Sequence, residues 1–255
     1  MDSSLLKKLE EMLGEVKDIS LLDEQGWTSE VRKITTTKGT YLMKSAFSER
    51  YREWLKNEAV VLKKLKNKHI IPVPQYYNYI EEQDRNHVIM SFENGISLTS
   101  ALKQADYEEK QLLIKSFGQL LNRLHETDPI EELCKSDNWL EYQLNKAELY
   151  LKIGDVDGTV ELLNKLKNTI PKSVKQTLIH GDCTTDNVLV IDGKVRLFID
   201  VAGMTVGDPR YDVSLAIRKL RKDEEFIKAF YSGYTRYKVS IEEYEYFNEG
   251  LYEFF

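Results

Sequence analysis

HGDCTTDNVLVIDGKVRLFID, residues 180–200, is the segment whose reading decides the fold. Asp192-Gly193 is a strong two-residue hairpin signal, because both residues tolerate positive φ. The β-branched runs on either side, VLVI and VRLFI, read as its two strands. If Ile191 pairs with Lys194, Asn187 falls opposite Phe198. Asp200 then lies one diagonal step away on the same face, roughly 7 Å off by sheet geometry. Asp182 precedes Asn187 by five residues, in the loop that enters the hairpin. A lone Asp or Asn in such a place usually stabilises a turn through Asx hydrogen bonds. Three of them converging on the open end of one hairpin calls for a chemical reading.

An amide and a carboxylate at that separation could share one divalent cation. Magnesium prefers oxygen ligands and takes only one or two from protein, with phosphates and water completing its octahedron. A neutral amide ligand keeps the local negative charge low enough for a polyphosphate to approach. Asp182 would lie within reach of a substrate held beside that metal.

The rest of the composition is permissive. The chain has 255 residues, 42% of them hydrophobic, enough for one large domain or two lobes. Its net charge of −6 comes from interspersed acids and bases, so no nucleic-acid partner is implied. The mild acidic excess suits a cationic small substrate, and solubility explains it equally well. Two distant cysteines, Cys134 and Cys183, form neither a disulfide framework nor a metal motif. The opening MDSSLLKKLEEMLGE places Leu at helical spacing among charges, unlike a signal peptide. No apolar run reaches the length of a membrane span. A cytoplasmic protein with no membrane partner is expected, as monomer or dimer.

Outward from the hairpin, the two sides differ in period. VRKITTTKGTYLMKSA reads as two strands around Lys38-Gly39, and QYYNYIEE with NHVIMSF as another pair. Between them, ERYREWLKNEAVVLKKLKNK has helical spacing through Trp54, Leu55, Ala59, Leu62 and Leu65, and IPVP follows as a stop. From residue 97 the pattern is helical: LTSALKQADYEEKQLLIKSFGQLLNRLHETDP, NWLEYQLNKAELYL and DGTVELLNKLKNTIP. After the hairpin, YDVSLAIRKLRKD, EEFIKAFYSGY and IEEYEYFNEGLYEFF continue it. We expect an α+β fold of two lobes: residues 1–94 strand-rich with one internal helix, and residues 95–255 mainly helical, carrying the hairpin. A ligand is expected between such lobes.

HGD-x4-N followed by a strand pair ending in ID resembles the catalytic segment of protein kinases. Gly181 after His180, together with GDPRYDVSLAIR at 207–218, is similar to the aminoglycoside phosphotransferase and choline kinase group within that fold. The resemblance implies roles residue by residue. Asp182 would be the catalytic acid–base residue, and Asn187 and Asp200 the magnesium ligands. Lys44 in YLMKSA would hold nucleotide phosphates and Glu58 in KNEAVVLKKL would orient it. GWTSEVRKI at 26–34 would cover the phosphates through Gly26, Thr28 and Ser29. MSFE at 90–93 would be the inter-lobe hinge, meeting a purine edge with the backbone of Ser91 and Glu93. The co-substrate implied is ATP or GTP with Mg2+. An aromatic residue found two places before this lysine in some antibiotic kinases is here Leu42; Tyr41 should face the other side of its strand. Residues 1–94 would thus be the nucleotide-binding lobe and 95–255 the catalytic and substrate-binding lobe.

Only VAGMTV separates Asp200 from the GDP motif, with no room for the segment that seats a peptide in protein kinases. A small-molecule acceptor is expected. In IEEYEYFNEGLYEFF, Ile241, Tyr244, Phe247 and Leu251 trace an apolar helical face. Glu245, Glu249 and Glu253 stack at i, i+4 and i+8 on another face, where like charges repel unless a cation is near. A solvated acidic face explains them as well as an ammonium-binding wall does. The EFF ending also resembles aminoglycoside 3′-phosphotransferases, in which an acidic residue and the terminal carboxylate, here of Phe255, grip antibiotic amines. A metabolite acceptor such as choline, thiamine or an amino sugar, and a non-catalytic nucleotide-binding regulator, are the alternatives.

Overall fold

The computed structural model describes residues 3–66, 68, 71–154 and 156–255. The chain divides into two compact units, Met1–Asn94 and Gly95–Phe255. The first is built on a five-stranded antiparallel sheet in the order β1-β2-β3-β5-β4. Its strands are β1 (Val16–Leu21), β2 (Glu30–Thr36), β3 (Gly39–Ala46), β4 (Tyr76–Glu81) and β5 (Asn86–Ser91). The first expected hairpin turns at Thr37-Lys38, one residue earlier than read, with Thr36 paired to Gly39.

Strand alternation gives each face of this sheet its own helix. On one face, Leu5, Leu9 and Leu13 of α1 (Ser3–Leu13) pack with Ile34, Tyr41, Met43, Ile80 and Ile89. Lys44, one residue on from Met43, points to the other face, towards α2 (Glu49–Leu65). Ser48 caps α2, its side chain accepting the Tyr51 N–H. α2 buries Leu55, Ala59, Leu62 and Leu65, as its spacing predicts, and stops before the proline segment; Asn67 lies outside the described residues. The sequence reading foresaw α2 but not β1, whose VKDISL half-buries only Val16 and Ile19 and leaves Leu21 exposed.

The second unit begins with a short strand, β6 (Ile96–Ser97), followed by α3 (Leu98–Gln104) and α4 (Tyr107–Glu126). The long helical run is therefore broken, because Asp106 and Glu109 form a reciprocal capping box that restarts the helix. Next come α5 (Trp139–Ile153), α6 (Val160–Asn168), β7 (Thr177–Ile179), β8 (Val188–Ile191), β9 (Lys194–Phe198) and β10 (Thr205–Gly207). Finally α7 (Pro209–Ile217), α8 (Glu224–Gly233) and α9 (Ile241–Asn248) precede a 3-10 turn at Leu251–Phe254. β6, β8 and β9 form one sheet, and β7 pairs with β10. α4 and α8 cross backbone to backbone: a Cβ on Gly118 would stand 2.3 Å from Phe230 O, and one on Gly233 2.1 Å from Lys115 O.

One core cluster gathers Trp139, Leu144 and Ala147 of α5, Leu163 and Leu166 of α6, Tyr211 and Leu215 of α7, and Tyr246 and Phe247 of α9, with Ile179, Leu251 and Phe254. It binds the end of the chain to the strand that delivers the His180 loop. Among the described residues no helix is long and apolar enough to cross a membrane.

Candidate active site

Asp192 (φ 51°) and Gly193 (φ 70°) turn the hairpin as their residue types require. The register beyond the turn corrects the sequence reading. Ile191 pairs with Lys194 and Val190 with Val195, but Leu189 then pairs with Leu197, so Arg196 is an extra residue in β9. Asn187 consequently faces Ile199, whose N–H donates to its carbonyl at 3.0 Å, and not Phe198. Asp200 lies past the end of the strand with φ 59° and ψ 50°. Its direction is set by a left-handed backbone and not by the pleat.

The loop entering the hairpin is held from behind by Asp212 of α7, which is fully buried. Its Oδ2 accepts the His180 N–H at 2.6 Å and its Oδ1 the Gly181 N–H at 2.9 Å. His125 Nε2 lies 3.2 Å from the same Oδ2, and its Nδ1 meets the Tyr234 hydroxyl at 2.8 Å. His125 thus supports the loop through Asp212. Gly181 is required twice over: its φ is +82°, and a Cβ there would lie 2.4 Å from Gly203 O. His180 Nδ1 accepts the Asp182 N–H at 3.2 Å, so Nε2 carries the proton facing Ile199 O at 2.9 Å. One imidazole ties the loop to the far end of the hairpin.

Asp182 and Asn187 are in direct contact. Asn187 Nδ2 donates to Asp182 Oδ2 at 2.8 Å and to Asp182 O at 2.9 Å. These bonds fix the amide's orientation and turn its Oδ1 away from Asp182. The other carboxylate oxygen, Oδ1, accepts the Tyr252 hydroxyl at 3.1 Å. Burial pushes the Asp182 pKa above the ordinary carboxylate range; His180, Tyr252 and Asn187 oppose this, while nearby Asp200 adds to it. Tyr252 was missed by sequence reading, since no local spacing links it to a loop 70 residues earlier. Cys183 is fully buried and its thiol pKa is raised by that burial, as suits a loop filler.

In the first unit, Lys44 Nζ donates to Glu58 Oε2 at 2.7 Å, and both residues are buried. Tyr41 packs on the α1 face, away from Lys44, with its ring edge-on to Tyr77 at 4.9 Å. The loop 22–29 between β1 and β2 leaves Gly26 exposed and Thr28 half-buried. Gln25, unread in the sequence, closes it: its amide donates to Leu22 O and Val31 O and accepts the Val31 N–H. The Ser29 hydroxyl is buried with no partner among the described residues. Ser91 has already committed its N–H to Gln75 O, and its hydroxyl donates to Glu93 Oε1. Both the N–H and the hydroxyl of Ser91 are thus engaged within the first unit.

The C-terminal residues depart most from expectation. α9 ends at Asn248, Glu249 caps it, and Gly250 leaves helical geometry at φ −119°, ψ −82°. The cause is packing. A 3-10 turn puts residues three apart on one side, which sends both Leu251 and Phe254 into the core. The three-glutamate stack is therefore broken after Glu249. Glu245 and Glu249 remain exposed one turn apart, and Glu253 is half-buried beside Tyr252. Ile241, assigned to the apolar face, is 63% exposed. The Phe255 ring leans on Tyr150, with Lys146 Nζ 5.5 Å from its centre.

Aminoglycoside 3′-phosphotransferases are among the proteins this chain resembles. It is 27% identical over 208 residues to the one from Streptomyces fradiae, covering 74% of this chain and 75% of that protein. To the one from Enterococcus faecalis it is 25% identical over 177 residues, covering 63% of this chain and 65% of the relative's length. The crystal structure of an aminoglycoside 3′-phosphotransferase of type VIII superposes with a TM-score of 0.74, at 22% identity and 94% coverage of both chains. The fold is thus the two-lobed α+β architecture of that protein. The profile of the phosphotransferase enzyme family matches residues 21–245, which takes in both units and the whole His180–Asp200 segment, and the chain belongs to that family.

Proposed function

We propose that the protein transfers the γ-phosphate of a magnesium–nucleoside triphosphate, ATP or GTP, to a hydroxyl of an aminoglycoside-type acceptor. The observation that carries this reading is the interlock of Asp182 and Asn187. The amide N–H bonds hold the carboxylate still, and the same bonds turn the amide oxygen outward. One contact therefore orients both a proton-accepting group and an oxygen ligand.

The donor set suits magnesium. Among the described residues no group of three His, Cys, Asp or Glu side chains could hold a metal alone. Two oxygen donors, Asn187 Oδ1 and a carboxylate of Asp200, match an ion that leaves its remaining positions to phosphate and water. When bound, magnesium would neutralise charge on the transferring phosphates. Lys44, oriented by Glu58, would add its ammonium to the phosphates. The unpartnered Ser29 hydroxyl offers a phosphate oxygen a donor inside the covering loop. Asp182 would orient the acceptor hydroxyl and take its proton, so that the residues contribute chiefly positioning and charge stabilisation.

The acidic groups Glu245, Glu249 and Glu253 favour a cationic acceptor. Glu253 has the strongest support, because it shares the turn that carries Tyr252 to Asp182. Transfer of labelled phosphate from ATP and from GTP to a panel of aminoglycosides, choline, thiamine and amino sugars tests the proposal. Transfer to aminoglycosides is expected. Asp182→Asn should lower that turnover by 10²–10⁴-fold, the usual scale for losing a general base, while nucleotide binding persists. Transfer only to a metabolite would replace the acceptor, and unchanged turnover in Asp182→Asn would refute the role of Asp182.

A further inference from the structure

Asp182 is gripped from two sides by donors that come from very different parts of the chain. Asn187, five residues away, holds Oδ2. Tyr252, 70 residues away, holds Oδ1. An ionised carboxylate has about four lone-pair sites, so one hydrogen bond to each oxygen leaves room on both for a further donor. Asn187 lies on the flank of the proposed metal ligands, which leaves the Oδ1 flank for the hydroxyl to be phosphorylated.

Tyr252 is held rigidly there. Its neighbours in the turn, Leu251 and Phe254, are both fully buried in the core. Glu253 O accepts the Gly158 N–H at 2.9 Å, which ties the turn to the α5–α6 loop. The phenol ring lies 6.5 Å from that of Tyr211, and the Arg218 guanidinium sits 5.2 Å above its centre. A phenol framed in this way has one direction for its hydroxyl. Because burial raises its pKa, it stays protonated and acts as a donor.

We propose that Tyr252 is a positioning residue for phosphoryl transfer, fixing the Asp182 carboxylate from the acceptor side and bordering the hydroxyl that is phosphorylated. This rests on Asp182 being the group that receives the acceptor's proton. Without the phenol, the carboxylate keeps its Asn187 bond but gains freedom to rotate about it, so the reacting geometry is populated less often. The nucleotide does not depend on this contact.

The test is Tyr252→Phe, which retains the ring and its packing. Turnover should fall about tenfold, with KM for the nucleotide unchanged, KM for the acceptor changed less than threefold, and the melting temperature retained. A merely structural tyrosine would move the melting temperature, or both KM values, and leave kcat alone. A second measurement does not need turnover: tyrosines labelled with carbon-13 at Cζ, the Tyr252 signal being identified by its loss in Tyr252→Phe. That signal should shift in Asp182→Ala, which removes its hydrogen-bond acceptor. Unchanged kcat in Tyr252→Phe, or an unmoved Cζ signal in Asp182→Ala, overturns the inference. A wild-type protein that phosphorylates none of the acceptors overturns the proposed function instead, while the Cζ signal still decides whether Tyr252 holds Asp182.

Discussion

The segments 180–200 and 241–255 both display acidic residues at a recognisable spacing, yet they fold by different rules. In the first, each special conformation falls on a residue suited to it: Gly181 at φ +82°, Asp192 at φ 51°, Gly193 at φ 70° and Asp200 at φ 59°. Asp and Gly tolerate the left-handed region, so the local chain chooses the shape and its surroundings accept it. In the second, eight residues form α9 and, after Glu249 and Gly250, four tighten to 3-10 because Leu251 and Phe254 must both reach the core. There the surroundings choose and the chain complies. A spacing argument about exposed side chains is therefore safe only where the backbone is set locally.

The contrast can be broken or sharpened by substitution. The largest expected effect is in the second segment. Phe254→Ala should cost about 3–5 kcal/mol of unfolding free energy, the usual range for emptying a fully buried aromatic site. Ile241→Ala should change it by less than about 0.5 kcal/mol, as Ile241 is mostly exposed. Denaturant melts of both variants check this, and equal losses would mean that a continuous apolar helix face exists after all. For the same reason, trimming the chain's last residues would confound loss of acceptor grip with loss of the core, whereas Glu253→Gln separates them.

Gly181→Ala comes next. Left-handed backbone costs a non-glycine residue about 1–2 kcal/mol, and displacing the Gly203 carbonyl about 1–3 more. A loss of about 2–5 kcal/mol is expected, with turnover reduced because His180 and Asp182 move together. Retention of full stability would show that the loop is less locally determined than its dihedral angles imply.

The smallest effect is a displaced pH limb. Burial raises the Asp182 pKa, so the ionised carboxylate is the form that the fold disfavours. That penalty applies above the folded pKa and is relieved as pH falls through it. A carboxylate that must accept a proton loses activity over the same interval. The acid limb of kcat/KM should therefore lie above about pH 4, the ordinary value for Asp. A limb at or below that value would mean that His180, Tyr252 and Asn187 outweigh burial.

Much of the candidate site's geometry was legible because its signals are local. HGD-x4-N, the Asp-Gly turn and the strands around it lie within 21 residues, and the contact between Asp182 and Asn187 spans only five. Lys44 and Glu58 are 14 residues apart and meet through a strand and the helix that follows it, both visible in their periods. What escaped was of two kinds. The bulge at Arg196 leaves no mark in composition, because an Arg in an exposed strand position looks the same with or without it. Gln25 and Tyr252 are ordinary polar residues whose importance comes from what the fold puts next to them.

Residue by residue, the amino-acid order determined where the backbone could turn left-handed, which runs became strands or helices, and which short segment brings Asp182 and Asn187 into contact. These are properties of neighbours along the chain, governed by sterics and side-chain period. Only tertiary structure decided that α9 stops at Asn248, that Asp212 anchors the His180 loop, and that a tyrosine near the end of the chain grips Asp182. Those outcomes depend on which apolar side chains compete for one core, and that competition joins residues that have no proximity until the chain has folded.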